Sequence, residues 1–230
     1  MKKFSAREAF SYSWETFKKN WKYFLGLEIV FLLVSFVPSA VLQKVFANNV
    51  ALNIPIQILL YLYSLVLAAG LTKILLSVID GKFLPTREIF THYRLVWPLF
   101  ITSIVVGFLI LLLMLPAVII FFGVSTILSQ NAFGPFLTVI LGVAFAVWVI
   151  YVSLRLFFWQ YVVIDKNPGV QAAIRTAWNM TKGAVWPLFL FGLLAILVTL
   201  LGALLLGVGL LVTIPVVQIA TVYLYKKLSQ

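Results

Sequence analysis

Six long apolar stretches, joined by short polar connections, fill most of this sequence. The hydrocarbon core of a bilayer is about 30 Å thick, and an α-helix needs about 20 mostly apolar residues to cross it. Stretches of this length are typical of transmembrane helices rather than of barrel strands. We therefore predict an all-α, polytopic membrane protein with six transmembrane helices. The stretches cover residues 23–42, 52–78, 95–121, 136–163, 185–201 and 208–224.

The composition agrees with a membrane domain. Of 230 residues, 63% are hydrophobic and 10% are charged, whereas soluble domains have about 45–50% and about 25%. The polar connections between the apolar stretches are too short to form a separate domain. We therefore expect a single integral membrane domain over residues 1–230, with no separate soluble enzyme.

The last two helices are predicted from one long apolar stretch that begins at Val185. About forty residues are enough for two crossings. Gly202, Gly207 and Gly209 favour a turn within this stretch, although small residues are also typical of close-packing positions inside a transmembrane helix. The sequence leaves both interpretations open, and the charge pattern favours the turn.

Basic residues fall on one side of the predicted membrane. Of the 17 lysines and arginines, all but Lys44 lie in the connections and helix ends that six crossings place on the same side. Because basic residues are retained in the cytoplasm, this pattern predicts a multi-pass protein of a bacterial or archaeal inner membrane with both termini in the cytoplasm. The formal net charge of +11 is then explained by anionic lipid head groups rather than by nucleic acid.

The sequence lacks the residues of common enzyme and metal sites. It has no cysteine, one histidine (His92) and six acidic residues. Disulfides, thiolate ligands and histidine clusters are therefore excluded, and there is no P-loop, G-x-S-x-G or H-E-x-x-H motif. We expect no catalytic residues, no cofactor and no metal. The sequence leaves a homo-oligomer or a partner membrane subunit open.

A polar and aromatic segment precedes each of the three predicted hairpins. The first has a capping-box pattern at Ser5 and Glu8. The second begins near Pro85. The third has Asn167 as a candidate N-cap and Pro168 at the first helical position. We predict that these segments form amphipathic helices in the head-group plane on the cytoplasmic side.

Short sequence matches suggest an internal repeat. The tetrapeptide REAF at Arg7–Phe10 is matched by REIF at Arg87–Phe90, and WPLF occurs at both Trp97–Phe100 and Trp186–Phe189. Matches this short also arise by chance. Together with the shared order of amphipathic segment and hairpin, they suggest three copies of one unit, over residues 4–80, 85–164 and 167–228.

Arg155 is the charged residue that stands out most. It lies ten residues before Asp165, which places it about 15 Å deep in a helix that ends there. One interpretation is an ion pair with Glu28, which lies in the cytoplasmic half of the first helix, so that the pair pins two helices together. The other is a polar, water-accessible path around both residues.

The segment from Arg155 to Gly183 carries a recognisable pattern. An arginine and a short apolar stretch lead to an aspartate with a nearby proline, followed by a helix that ends in Lys-Gly. This pattern resembles the six-helix bacterial and archaeal membrane families related to the membrane domain of glycerophosphoryl diester phosphodiesterase. In those families the phosphodiesterase activity belongs to a separate soluble domain, so the resemblance implies architecture and not catalysis. The candidate motif residues are Asp165, Pro168, Trp178, Lys182 and Gly183.

The resemblance covers about thirty residues well, and the rest of the chain by topology alone. This sequence has Ala177 where those families often carry serine, which weakens any role for a hydroxyl there. From the missing chemistry we expect a non-enzymatic membrane protein with a structural, accessory or lipid-interacting role. The alternative is a small transporter or permease subunit with a polar path around Arg155 and Glu28.

Overall fold

The computed structural model describes residues 5–46, 50–128, 134–205 and 207–230, and all regular elements among them are helical. The all-α prediction is therefore confirmed. Two short 3-10 helices, Thr86–Phe90 and Tyr93–Leu95, lie between the third and fourth α-helices. The α-helices are α1 (Ala6–Lys19), α2 (Trp21–Phe46), α3 (Val50–Ile79), α4 (Val96–Leu128), α5 (Gly134–Leu156), α6 (Trp159–Lys166), α7 (Val170–Met180), α8 (Val185–Leu204) and α9 (Leu210–Ser229).

Six helical stretches are long and apolar enough to cross a membrane, as the sequence predicted. Each contains one of the predicted segments or nearly all of it. All six stretches end one to five residues beyond the predicted segments, and three of them also begin earlier. The stretches are Trp21–Phe46, Leu52–Ile79, Thr86–Val124, Gly134–Lys166, Val185–Leu204 and Leu210–Ser229.

The fourth stretch is not one regular helix. The chain leaves helical geometry at Phe157 and Phe158, so that α5 and α6 are separate elements. The break places the Phe158 ring in the core, with its centroid 5.7 Å from that of Tyr161 and 6.0 Å from that of Tyr225. Phe157 points outward. The apolar run alone gave no sign of this break, since it contains neither proline nor glycine at that point.

The last stretch contains both features that its glycines suggested. Helix α8 ends at Leu204 and α9 begins at Leu210, and Gly207 between them has φ +78°. Glycine adopts this left-handed conformation without steric cost. Gly202 and Gly209 also pack closely, because a Cβ atom on Gly209 would overlap the Gly202 carbonyl. The turn is therefore present, and two glycines let its helices approach each other.

The packed core lies at one end of the helices. Buried apolar residues concentrate in the second half of α3, in α6, in the second half of α9 and at the starts of α2, α4 and α8. The opposite halves of α2, α4, α5 and α8 expose leucine, isoleucine, valine and phenylalanine. Apolar surface this extensive is typical of contact with a membrane. The packed end is also the end at which most lysines and arginines lie.

Helix α1 packs against α8 and α9, and its Ala9, Ser13 and Phe17 are buried. Ser5 precedes the helix as predicted, but its hydroxyl makes no capping hydrogen bond. Glu8 instead accepts hydrogen bonds from Lys227 Nζ and, at 2.8 Å, from Tyr223 Oη. These two donors, Lys227 first, lower the pKa of the Glu8 carboxyl below its ordinary value.

The other two connecting segments also pack on helices. Helix α7 lies against α4, α5 and α6. The segment near Pro85 was predicted to form a helix of the same kind, but it forms the short 3-10 helix Thr86–Phe90 packed on α3. Gly70 of α3 makes this contact close, since a Cβ atom there would overlap the backbone of Ile89.

We predict that Gly70→Ala destabilises the protein by about 1–3 kcal/mol, as overpacking of a tight contact does. The added methyl group must push the Ile89 backbone away from α3. The control is Gly26→Ala on α2, where a Cβ atom would meet nothing within 4 Å. We expect the control to be neutral or more stable, since alanine favours the helix by about 0.5–1 kcal/mol. Unfolding in mixed detergent micelles measures both, and equal stability of the two variants would contradict the proposed contact.

Candidate functional site

Arg155 lies on the last turn of α5 and is 5% exposed. Its guanidinium carbon is 4.4 Å from the ring centroid of Trp178 and 6.0 Å from that of Tyr151. The two rings are nearly perpendicular, at 89°. A guanidinium at these distances is attracted to the face of an aromatic ring. Its Nε is buried and has no hydrogen-bond acceptor within the described part of the chain.

The structure does not bring Arg155 and Glu28 together as an ion pair. Glu28 is on α2 and is 2% exposed. Among the described residues the ion pairs are Lys226 with Asp80 and Lys227 with Glu8. The predicted pinning of two helices by Arg155 and Glu28 is thus not formed, because the guanidinium lies over the indole of Trp178 instead. The sequence pattern predicted the helix that contains Trp178, but not the position of this helix relative to α5.

Helix α7 holds Trp178 in this position. Its Ala173 and Ala177 are fully buried and let the helix approach the core closely. At its end, Thr181 Oγ1 donates a hydrogen bond to the Arg155 carbonyl oxygen at 3.0 Å. Thr181 was not among the predicted residues, and only its place next to Lys182 in the Arg155–Gly183 pattern pointed to it. The bond joins the ends of α5 and α7, so the indole and the guanidinium are kept in contact.

Asp165 connects three helices. Its Oδ2 accepts a hydrogen bond from Tyr225 Oη of α9 at 3.0 Å, and its backbone oxygen accepts one from Lys73 Nζ of α3 at 3.3 Å. Tyr225 is fully buried and stacks on Tyr161 with centroids 5.7 Å apart. Sequence reasoning selected Asp165 but missed both partners, since they come from distant parts of the chain. This arrangement has the character of a structural anchor.

The remaining motif residues shape the connections around α7. Asn167 was predicted as its N-cap, but Asn167 ends α6 in a left-handed conformation at φ 43°. Gly169 is the N-cap of α7, so Pro168 precedes the helix and does not begin it. Gly183 has φ +79° and turns the chain toward α8. Lys182 is exposed.

A groove of about 700 Å³ separates α4 from α7. Most of its lining is apolar, and two polar side chains, Gln171 and Arg175, come from α7. Trp178 forms part of its wall, so the groove passes beside the contact between Trp178 and Arg155. The lining residues are Val105, Leu109, Leu113, Val170, Gln171, Ile174, Arg175 and Trp178.

A second apolar groove, of about 340 Å³, lies between α5 and α8. Tyr151, the other aromatic neighbour of Arg155, is part of its wall. The rings that contact the guanidinium thus each line a different groove. The lining residues are Val147, Ile150, Tyr151, Leu154, Val185, Trp186 and Phe189.

Within the described ranges, no group of three histidine, cysteine, aspartate or glutamate side chains could hold a metal ion. No protein-family model matches this chain, and neither a curated protein nor a solved structure is significantly similar to it. The resemblance of the Arg155–Gly183 segment to a known family therefore stays a prediction.

We predict that Asp165 and Tyr225 are energetically coupled. A double-mutant cycle of Asp165→Ala and Tyr225→Phe should give a coupling free energy of about 1.5–3 kcal/mol, as for hydrogen bonds to charged groups. The control cycle combines Asp165→Ala with Tyr223→Phe, because Tyr223 of the same helix binds Glu8 instead. Distant sites without shared partners add to within about 0.5 kcal/mol. Equal coupling in both cycles, measured by unfolding in mixed micelles, would rule out the direct hydrogen bond.

Proposed function

We propose that this chain is a non-enzymatic integral membrane protein of the cytoplasmic membrane that binds phospholipid in the groove between α4 and α7. The single observation that carries the proposal is the composition of this groove. Its wall is apolar along α4 and has a cationic and an amide side chain on α7. A phospholipid has the same division between acyl chains and a charged head group.

The apolar wall has the form that an acyl chain requires. Val105, Leu109 and Leu113 are spaced by four residues and therefore follow one stripe of α4, about 12 Å long at 1.5 Å per residue. Leu109 packs with the small buried cluster around Val106 and Val152, which fixes this part of the wall. An acyl chain in the groove would replace bulk lipid without exposing apolar surface to water.

An exposed arginine beside the groove favours an anionic head group. Arg175 is exposed on α7 and lines the groove together with Gln171. Basic side chains near the membrane surface attract anionic lipids, each by about 1 kcal/mol. Arginine also binds phosphate oxygens in pairs. The partners that we propose are therefore anionic membrane lipids on the cytoplasmic side, and not nucleic acid.

The proposed orientation places both termini in the cytoplasm. It rests on the distribution of lysine and arginine, of which only Lys44 belongs to the opposite side. Helix α1 and helix α7 are then the amphipathic elements at the cytoplasmic surface, and each buries one face against the bundle. The groove opens beside α7 and hence toward the cytoplasmic leaflet.

We also propose that the fold consists of three copies of one unit. The third residue of each REAF-like tetrapeptide, Ala9 and Ile89, is fully buried. In both WPLF tetrapeptides the tryptophan is exposed and the leucine is buried. Each connecting segment also packs on the hairpin of the preceding unit, with α1 on the last hairpin, so the units follow one another in a closed ring.

Transport along a polar path remains the alternative prediction. It would require Arg155 and Glu28 to act together, and no ion pair or hydrogen bond joins them in the part of the chain that the structure describes. No other contact among the described residues favours a path.

We predict that Leu109→Trp removes bound phospholipid by filling the groove. The purified protein should retain phosphatidylglycerol in native mass spectrometry, and the variant should retain at least one molecule fewer. The control is Leu112→Trp, since Leu112 is exposed on α4 outside the groove and the change adds the same bulk. Equal retention by Leu109→Trp and the control would refute lipid binding in this groove.

We further predict the topology by cysteine labelling, since the chain has no cysteine of its own. An impermeant maleimide applied to intact cells should label positions 49, 131 and 205 and leave positions 82, 167 and 230 unlabelled. Asn49 and Asn131 lie outside the described residues, so Leu205 provides the test within the structure. Labelling of Gln230→Cys would show that the final hairpin does not return to the cytoplasm. The variants are Asn49→Cys, Lys82→Cys, Asn131→Cys, Asn167→Cys, Leu205→Cys and Gln230→Cys.

A further inference from the structure

The guanidinium of Arg155 forms no ion pair with a carboxylate among the described residues. Arginine stays charged at physiological pH and has five N–H donors and no acceptor. The side chain is almost fully buried, and its Nε has no acceptor within the described residues. The faces of Trp178 and Tyr151 attract the charge. They do not accept a hydrogen bond from Nε–H, which points along the guanidinium plane.

None of the six acidic residues of the chain forms an ion pair with Arg155 in the described structure. Glu15 is exposed on α1, and Glu28 is buried on α2. The other four acidic residues bind other side chains; they are Glu8, Asp80, Glu88 and Asp165. An anion from outside the chain can therefore pair with the guanidinium.

The surroundings of Arg155 indicate where this anion comes from. Trp178 lines the groove between α4 and α7, and Tyr151 lines the groove between α5 and α8. An anion that reaches the guanidinium thus lies next to two apolar grooves. A free inorganic anion gains nothing from such walls, whereas a phospholipid joins one phosphate to two acyl chains.

We propose that Arg155 binds the phosphate of a membrane phospholipid whose acyl chain occupies the groove between α4 and α7. This inference rests on the proposed function and adds the site of the head group. The planar guanidinium donates two parallel N–H bonds to two phosphate oxygens, which a single ammonium group does not do. Contact with Trp178 and the bond from Thr181 to the Arg155 carbonyl hold the guanidinium in place.

The test compares two lipids that differ in the phosphate. Full-length protein in detergent is titrated with dioleoyl phosphatidylglycerol and with dioleoylglycerol, which has the same acyl chains but no phosphate. Native mass spectrometry gives the two dissociation constants. The wild-type protein should bind the phosphatidylglycerol at least about tenfold more tightly, as a charged hydrogen-bonded pair implies. Equal affinity for the two lipids would overturn the proposal.

Arg155→Gln should remove most of this preference. Its affinity for phosphatidylglycerol should fall about tenfold, while the affinity for dioleoylglycerol stays unchanged. The matched control is Arg94→Gln, because Arg94 is an exposed arginine before α4 and its loss changes the net charge equally. The same loss in the control would assign the preference to overall charge and overturn the site at Arg155.

A second variant and a displacement measurement test the same site independently. If Arg155→Gln does not fold, Arg155→Lys keeps the charge and should still lose about tenfold in phosphatidylglycerol affinity, because one ammonium cannot pair with two oxygens. Wild-type affinity in that variant would overturn the proposal. Inorganic phosphate should not displace the bound lipid, and displacement would identify free phosphate as the ligand instead.

The two variants distinguish an error in the proposed groove from an error in the proposed phosphate site. If Leu109→Trp weakens the binding of both lipids while Arg155→Gln changes neither, the groove stands and the phosphate site falls. If Leu109→Trp has no effect while Arg155→Gln removes most of the preference for phosphatidylglycerol, the phosphate site stands without an acyl chain in this groove, and the proposed function falls.

Discussion

The fold depends on a solvent that accepts apolar side chains. Long parts of α2, α4, α5 and α8 expose leucine, isoleucine and phenylalanine, and only a bilayer makes that exposure favourable over such a length. In a bilayer these parts would need no protein neighbours. Close packing is needed where the helices leave the hydrocarbon and polar groups must find partners. The core, the hydrogen bond from Tyr225 to Asp165 and the ion pairs of Lys226 and Lys227 all lie at that end.

Small residues make this packing possible between segments that are distant in the chain. Gly70 lets the 3-10 helix Thr86–Phe90 lie directly on α3, and Ala9 and Ala177 do the same for α1 and α7. The 3-10 helix packs on α3 and α7 packs on α4 and α5, so each lies on the hairpin before it in the sequence. Helix α1 packs on the last hairpin, formed by α8 and α9. Helix α1 and the last hairpin, which are far apart in the sequence, are therefore held together by packing and by Glu8 binding to Tyr223 and Lys227.

Sequence periods and lengths predicted the helices because the length of an apolar run depends only on membrane thickness. The same reasoning could not predict the break at Phe157, since that break is set by the packing of Phe158 against rings of α6 and α9. The candidate site was predicted in part. Arg155 and Trp178 were selected separately, but their contact depends on how α7 crosses α5, and an interaction between sequence-distant helices leaves no periodic signal. For the same reason Glu28 was chosen as the partner of Arg155 on depth alone.

A comparison with Lys73 shows what is unusual about the hydrogen bonding of Arg155. Lys73 reaches the backbone oxygen of Asp165, at the end of α6, where helix carbonyls lack partners within the helix and carry partial negative charge. Arg155 also lies at a helix end, but its own carbonyl is already bound by Thr181. Its guanidinium therefore meets two aromatic faces, and its Nε has no acceptor among the described residues. A cation that served only to join helices would be satisfied as Lys73 is, so the surroundings of Arg155 are those of a residue whose acceptor arrives with a ligand.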